Sequence, residues 1–465
     1  MSKARPAPPK GMQKPKVGII FSQTSRFSAE SVNLAEYFCG LLTETGYADV
    51  YMIGYEQGGP GEVASRRIKY IPHGQTKPKE VPAADVTFAH FSALQDCHVL
   101  LVAVNSNDTK GCCEKLCELF PKAQAKGISV FSLQRGVRNS SIVKDELENN
   151  GFTVMECVVG FAAVVDPKFG AVQATVGSPA LLLERITKEA LKTADGPTRL
   201  LEQMQVDCFF RKTLTPCSWG VLVYENLYVL NILSKGTLMH TLSKREWRLI
   251  LALMIRESYK ILDKAARGGK WKPDLLLINA NVTPWRLELL LVLPDLLFWP
   301  ACWALGLLPP AALMSPGQLD LAQGRKSMLD WHFAEMVMAG DRHRYEAPVC
   351  CTVLRHLRAV EKSLFPDLAP AIDGDAGVED PVWEGVFAAA GAQSYNSADQ
   401  MALLVRTLQQ GLEDDDGAKL GKGAGGDRSL LRNHPSVGEL WFWVSRVLAA
   451  ISSLLLVAFL FLHDY

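Results

Sequence analysis

Three cysteines lie close together at Cys112, Cys113 and Cys117, and thiolates at such spacing can ligate zinc. No histidine stands nearby to complete a tetrahedral set, and Cys113, Leu116, Cys117 and Phe120 recur at helical spacing. The group therefore reads as the apolar face of a helix, with no metal expected. His240, His332 and His343 read as structural or surface residues, since no Asp/His/Ser grouping is visible around them. The other chemistry to look for lies where the apolar run 17–21 feeds directly into Ser22, Gln23, Thr24, Ser25 and Arg26. A dinucleotide turn at such a place needs glycines, which let backbone approach the pyrophosphate and helix pack on strand. No glycine lies between Ile19 and Tyr37, and Phe21 and Gln23 are bulky where phosphates would sit. Lys16, Arg26 and Arg135 are the charges left to meet phosphate.

The elements that would position these residues follow from the apolar pattern. Residues 17–21, 50–53, 99–104 and 128–133 read as strands, with helices over 28–42, capped by Ser28, and over 113–120, ended by Pro121. Strands that are apolar throughout and alternate with helices imply a parallel sheet covered on both faces. Residues 152–165 and 171–176 read as an added β-ribbon at its edge. After about residue 200 the pattern is helical, with a capping box at Ser243 and Glu246 and an apolar, proline-broken core segment over 289–314.

Lys plus Arg and Asp plus Glu both number 49 in 465 residues. That balance excludes the basic surface a nucleic-acid binder needs, and the 48% apolar content excludes an acidic disordered chain. The average conceals segregation. Residues 1–16 form a basic, proline-rich lead and 411–439 a flexible linker with three consecutive aspartates at 414–416. Residues 440–462 are apolar at 19 of 23 positions, long enough to cross a bilayer of roughly 30 Å at about 1.5 Å per residue. Arg428, Arg432 and Arg446 precede this stretch and no Lys or Arg follows it. A tail-anchored, single-pass membrane protein is expected, with its N-terminal body in the cytosol. The target membrane is not specified by the sequence.

The segments VLLVAVNSNDT at 99–109 and VFSLQRGVRN at 130–139 resemble the ketopantoate reductase (2-dehydropantoate 2-reductase) family. Trp219 and Gly220, LVLPDLLF at 291–298, RKSMLD at 325–330, AEMV at 334–337 and EAPV at 346–349 continue the match in order. The resemblance covers roughly residues 16–362. It implies an α/β N-terminal Rossmann-like domain over 17–198 and an all-α C-terminal domain over 199–410, followed here by the linker and a C-terminal transmembrane helix. It also implies NADPH-dependent reduction in a cleft between the two domains.

The site residues that the resemblance implies are only partly present. The family's strand-end lysine is Asn105, and the asparagine of its QNG turn is Arg135 beside the retained Gln134 and Gly136. Its catalytic lysine falls at Val221, or at Leu222 if the register slips by one, and the asparagine four residues on is Glu225. Asn226 and Ser327 are left as substrate-binding candidates, and Asn105, Gln134 and Arg135 as cofactor-binding ones. The segment that carries the family's active glutamate is missing after Met328, and Glu335 aligns with a later helix. Hydride transfer needs a fixed nicotinamide and a proton donor or cation at the developing alkoxide. Two readings stay open: a non-catalytic binding or scaffold protein, and an NADP-dependent 2-dehydropantoate 2-reductase-like oxidoreductase with a remodelled site. The partners expected are a membrane through 440–462 and a second copy in a homodimer, with no nucleic acid.

Overall fold

The computed structural model describes residues 14–22, 27–55, 67–72, 74–166, 168–175, 180–184, 200, 206–266, 284–304, 307–309 and 313–365. The expected linker 411–439 and apolar stretch 440–462 lie outside the described residues, as does nearly all of the basic lead. Among the described residues, no helix is long and apolar enough to cross a membrane.

Twelve strands are described: β1 (Lys16–Phe21), β2 (Asp49–Gly54), β3 (Lys69–Ile71), β4 (Lys79–Glu80), β5 (Val86–Ala89), β6 (Val99–Val102), β7 (Ser129–Ser132), β8 (Thr153–Val159), β9 (Ala163–Asp166), β10 (Ala171–Ala174), β11 (Ala180–Glu184) and β12 (Asp207–Arg211). Eight of them form one sheet in the order β12-β11-β8-β7-β6-β1-β2-β5. From β5 to β8 every pairing is parallel. β11 then runs antiparallel to β8. Successive side chains of a strand point to opposite faces. Val17, Ile19 and Phe21 accordingly pack on Leu34, Tyr37, Phe38 and Leu41 of α1 (Glu30–Thr45). Ile20 faces the other way, in a cluster with Cys112, Cys113 and Leu116 of α2 (Thr109–Leu119). Pro121 opens a short α3 (Lys122–Ala125), and α4 (Val137–Glu148) adds Val143 and Leu147 to that second layer.

Two sequence expectations need correction. β8 is not part of an edge ribbon but pairs with β7 inside the main sheet; β9 and β10 instead join β3 and β4 in a separate sheet of order β4-β3-β10-β9. The main sheet also takes in β12, beyond the expected boundary at 198. Both misreadings concern partners distant in the chain, which local periodicity does not specify.

The helical part comprises α5 (Thr215–Ser234), α6 (Leu238–Ser243), α7 (Arg245–Ala266), α8 (Pro284–Val292), α9 (Asp295–Ala304), α10 (Pro316–Ala322), α11 (Leu329–Arg342) and α12 (Pro348–Leu364). α5 is buried nearly all round and forms the axis of the domain. The capping box is not formed as expected: Ser243 donates its hydroxyl to the carbonyl of His240 and closes α6. The described part of the 289–314 stretch is broken into short helices, with Pro300 inside α9. Leu296 and Trp303 of α9 are exposed rather than buried.

Arg248 of α7 is fully buried and ties these pieces together. Its guanidinium donates to the carbonyls of Leu242, Leu291 and Leu293 and to Asp295, and it stacks 4.1 Å from the Phe298 ring centroid. Removing it strands several carbonyls at once. Arg248→Ala is expected to destabilise the helical domain by about 3–5 kcal/mol, read as a lowered urea midpoint.

Candidate functional site

The carboxyl ends of β1, β6 and β7 carry Ser22, Asn105 and Gln134. In open α/β sheets this is the edge where ligands bind. Here that edge is knotted together by its own polar groups. Ser22 donates its hydroxyl to Asp108 at 2.5 Å and accepts the Asn105 backbone N–H at 2.9 Å. Asn105 Nδ2 donates to the carbonyl of Ser28, and Gln134 Nε2 donates to Val104 O and Thr109 Oγ1. The loop residues Gln23 to Arg26 lie outside the described residues.

Facing this edge, the helical domain presents Glu225 from the middle of α5, Asp320 from α10, and His332 and Glu335 from adjacent turns of α11. Each meets the Rossmann-like domain. Arg135, buried in the turn before α4, is shared by Glu30 of α1 at 2.7 Å and by Glu225, and it lies over the ring of Tyr228. Glu225 also contacts His332 Nδ1 at 3.1 Å, and His332 Nε2 lies 3.4 Å from Ser106 Oγ. Glu335 accepts the backbone N–H groups of Val137 and Arg138 at the start of α4. Asp320 accepts the Ala29 N–H and the Ser28 hydroxyl at the start of α1. Free N–H groups at a helix start favour an anion, so two helix starts each hold a carboxylate from the other domain.

Gly136 allows the close approach. Its φ is +89°, and a Cβ there would lie 3.1 Å from the His332 ring and 3.2 Å from the Glu335 carboxylate. The electrostatics follow from burial. Burial opposes charge on Glu225, yet Arg135 and His332 outweigh it and hold that carboxyl below its ordinary value. Burial likewise opposes charge on His332, but Glu225 raises its pKa. At Asp320 burial prevails over its Ser28 and Ala29 donors and pushes the pKa up to about 6. Glu335 is raised for the same reason.

The sequence candidates are only partly brought together. Asn105, Gln134, Arg135 and Glu225 gather at the crevice, and sequence reasoning missed Glu30, Ser106, Asp320, His332 and Glu335 there. His332 carries no local signal, because its partners come from other elements. Asn226 and Ser327 are not brought to the crevice. Asn226, fully buried, donates to Ser258 on α7, because it projects from a different side of α5 than Glu225. Ser327 donates to Glu361 of α12 at 2.6 Å, whose pKa burial pushes up to about 7. Arg135, a cofactor-binding candidate from the sequence, comes to the crevice with its guanidinium paired to Glu30 and Glu225. Val221 packs with Val158, Leu182, Leu214 and Cys217. Among the described residues, no group of three or more His, Cys, Asp or Glu could hold a metal ion.

A hydroxyl, an imidazole and a carboxylate in line resemble a nucleophile and its base. Here Ser106 accepts from Asn139 Nδ2 at 2.7 Å, all three residues are buried, and Glu225 is shared with Arg135. The line ties the two domains together. At the start of α1 the Ala29 N–H donates to the Asp320 carboxylate, at a place that would also draw a phosphate.

Sheet, crevice and helical domain together define a two-domain dehydrogenase fold. Within that class the fold is that of the ketopantoate reductases. The structure is similar to a PanE/ApbA family ketopantoate reductase from Ralstonia eutropha JMP134, at 19% identity over 75% of this chain and 99% of that one, with a TM-score of 0.53. It is also similar to D-mandelate dehydrogenase in a ternary structure with NADH and anilino(oxo)acetate, at 14% identity over 75% and 99%, TM-score 0.55. A third likeness is 2-dehydropantoate 2-reductase from Geobacter metallireducens GS-15, at 15% identity over 74% and 99%, TM-score 0.52. No family profile and no curated protein matches the chain. At these identities the likeness is one of fold.

Breaking a buried pair from one side leaves the other charge stranded. Glu225→Gln is expected to cost about 3–5 kcal/mol, and the double variant Arg135→Gln/Glu225→Gln distinctly less. Urea unfolding of the three proteins measures both.

Proposed function

We propose that this chain is a ketopantoate-reductase-like protein without hydride-transfer chemistry, acting as a binding or scaffold body held at a membrane by residues 440–462. The observation that carries the reading is the Arg135–Glu225 ion pair. It joins the two positions where the family resemblance implies asparagines, and it lies in the crevice that the reaction would need. Val221 supports the same reading. The resemblance implies a lysine there, and valine fills an apolar cluster that has no place for an ammonium group.

A second reading is favoured by one observation, the fold likeness to an NADH-bound D-mandelate dehydrogenase. It makes the chain an NAD(P)-dependent oxidoreductase acting on a 2-oxo or 2-hydroxy acid through a remodelled site. One experiment separates the two. A cofactor at 100 times its dissociation constant stabilises its protein by roughly 2.7 kcal/mol. The melting temperature is expected to stay unchanged with saturating NADPH or NADH, and NADPH is expected not to be consumed in the presence of ketopantoate. An upward shift with turnover establishes the second reading instead.

The membrane attachment has its own test. Deleting residues 440–465 is expected to move the protein from the membrane fraction to the soluble one. Retention at the membrane after deletion identifies another surface as the anchor, and the exposed Leu296 and Trp303 of α9 are the first to substitute.

A further inference from the structure

The main sheet loses its apolar cover at β12. One strand further in, Leu181, Leu182 and Leu183 of β11 are buried on both faces. Their register partners on β12 are Cys208, Phe209 and Phe210, and there Phe209 is 46% exposed and Phe210 40%. Side chains alternate along a strand, so the two rings stand on opposite faces. Among the described residues, no strand lies beyond β12, and these two are the large apolar side chains that the main sheet leaves exposed.

An open apolar edge is a template for another strand. Proteins ordinarily blunt such an edge with a proline, a bulge or a lysine in its middle. β12 reads DCFFR, pairs with β11 without a bulge, and has none of these. Its charges lie at the two ends and have opposite signs. Laid antiparallel on its own copy and centred on Phe209, the strand sets Asp207 opposite Arg211 twice. Phe209 then meets Phe209, and Cys208 meets Phe210 twice, so that every residue of the strand is matched. Moving the centre to a neighbouring residue leaves an end unmatched, and parallel pairing brings like charges together.

We propose that β12 docks a second copy of this chain by this antiparallel pairing, joining the two main sheets across a twofold axis at Phe209. Burial of the phenyl rings from both copies supplies the attraction. The Arg211 guanidinium donates to the Phe210 carbonyl at 3.3 Å, an exposed bond that a ladder bond can replace. Asp207 and Arg211 also have contacts within their own chain, so across the pair they set direction and register more than strength. A five-residue edge covers less than the roughly 1,600 Å² of a standard interface, so the dimer is a reversible one. The second copy expected from the sequence thereby has a definite surface. That surface depends neither on NADPH nor on the 440–462 anchor.

Light scattering of the full chain in detergent micelles, over about 1–100 µM, is expected to show a monomer–dimer equilibrium. Phe209→Lys sets two ammonium groups at the axis and is expected to abolish the dimer in that range. Asp207→Arg and Arg211→Asp each bring like charges together and should raise the dissociation constant about fivefold or more. The chain carrying both exchanges should return to within about threefold of the wild type. Opposed Cα atoms in such a pair lie about 4.5–5.5 Å apart, within reach of a disulfide. Mild oxidation of Phe209→Cys should therefore give a linked dimer above the wild-type background, whereas Leu296→Cys, on the exposed part of α9, should not. A monomer throughout, a dimer indifferent to Phe209→Lys, or no linking with Phe209→Cys would each overturn the proposal. A dimer indifferent to Phe209→Lys assigns the contact to another surface, the apolar 440–462 stretch first. The wild-type scattering and the linking decide the matter even if a charge variant fails to fold.

Discussion

The guanidinium of Arg135 is the point on which the arrangement of the two domains depends. It sits in the turn between β7 and α4 and divides its charge between Glu30 of its own domain and Glu225 of the other. A guanidinium is never deprotonated at ordinary pH, and its planar fork serves two carboxylates at once. Taking it out of water is costly unless both are present. Once they are, Glu225 is fixed, and with it the imidazole of His332 and the hydroxyl of Ser106. The turn places Gly136 next, where a Cβ would be strained by the positive φ and would press on His332 and on the Glu335 carboxylate that meets the start of α4.

The same physics explains why a crevice of dehydrogenase form reads here as an internal contact. Parallel strands bring their carboxyl ends and the following helix starts to one edge, and those N–H groups attract anions whatever their source. A dinucleotide supplies phosphates; this chain supplies Asp320 and Glu335. Carboxylates tethered to a packed domain have little freedom left to lose on binding. They therefore hold their places against a dissolved anion more firmly than their charge alone would give.

Much of the fold is legible in the sequence because its strands are apolar throughout and its helices keep one apolar side. Val17 to Phe21 and residues 99–102 announce themselves in that way. The small sheet is not legible, since β3 and β10 are short and their pairing is set by α1, where Tyr70 reaches Glu44. At the site, the family resemblance drew attention to Arg135 and Glu225 as departures from a pattern. Nothing local shows that they are partners. His332 and Asp320 are still less visible, because a single buried imidazole or carboxylate has no periodic signature and takes its meaning from groups on other elements.

Ser327 shows how a matched motif can mislead about function. Its segment, RKSMLD, holds the junction of α10, α11 and α12. Lys326 lies 3.7 Å from Asp330 and 4.0 Å from Glu361, Ser327 donates to Glu361, and Arg358 Nε meets Asp330 at 2.8 Å. Buried charges in such a cluster are held by pairing with one another, and replacing one leaves its partner unpaired. The cluster accounts for Lys326, Ser327 and Asp330 without a substrate, and Arg325 pairs with Asp320. A sequence can therefore keep that motif for packing alone, and its presence says little about chemistry. Val221, Arg135 and Glu225 carry more weight, because each departs in charge or polarity from what the family resemblance implies and the structure gives each surroundings suited to it.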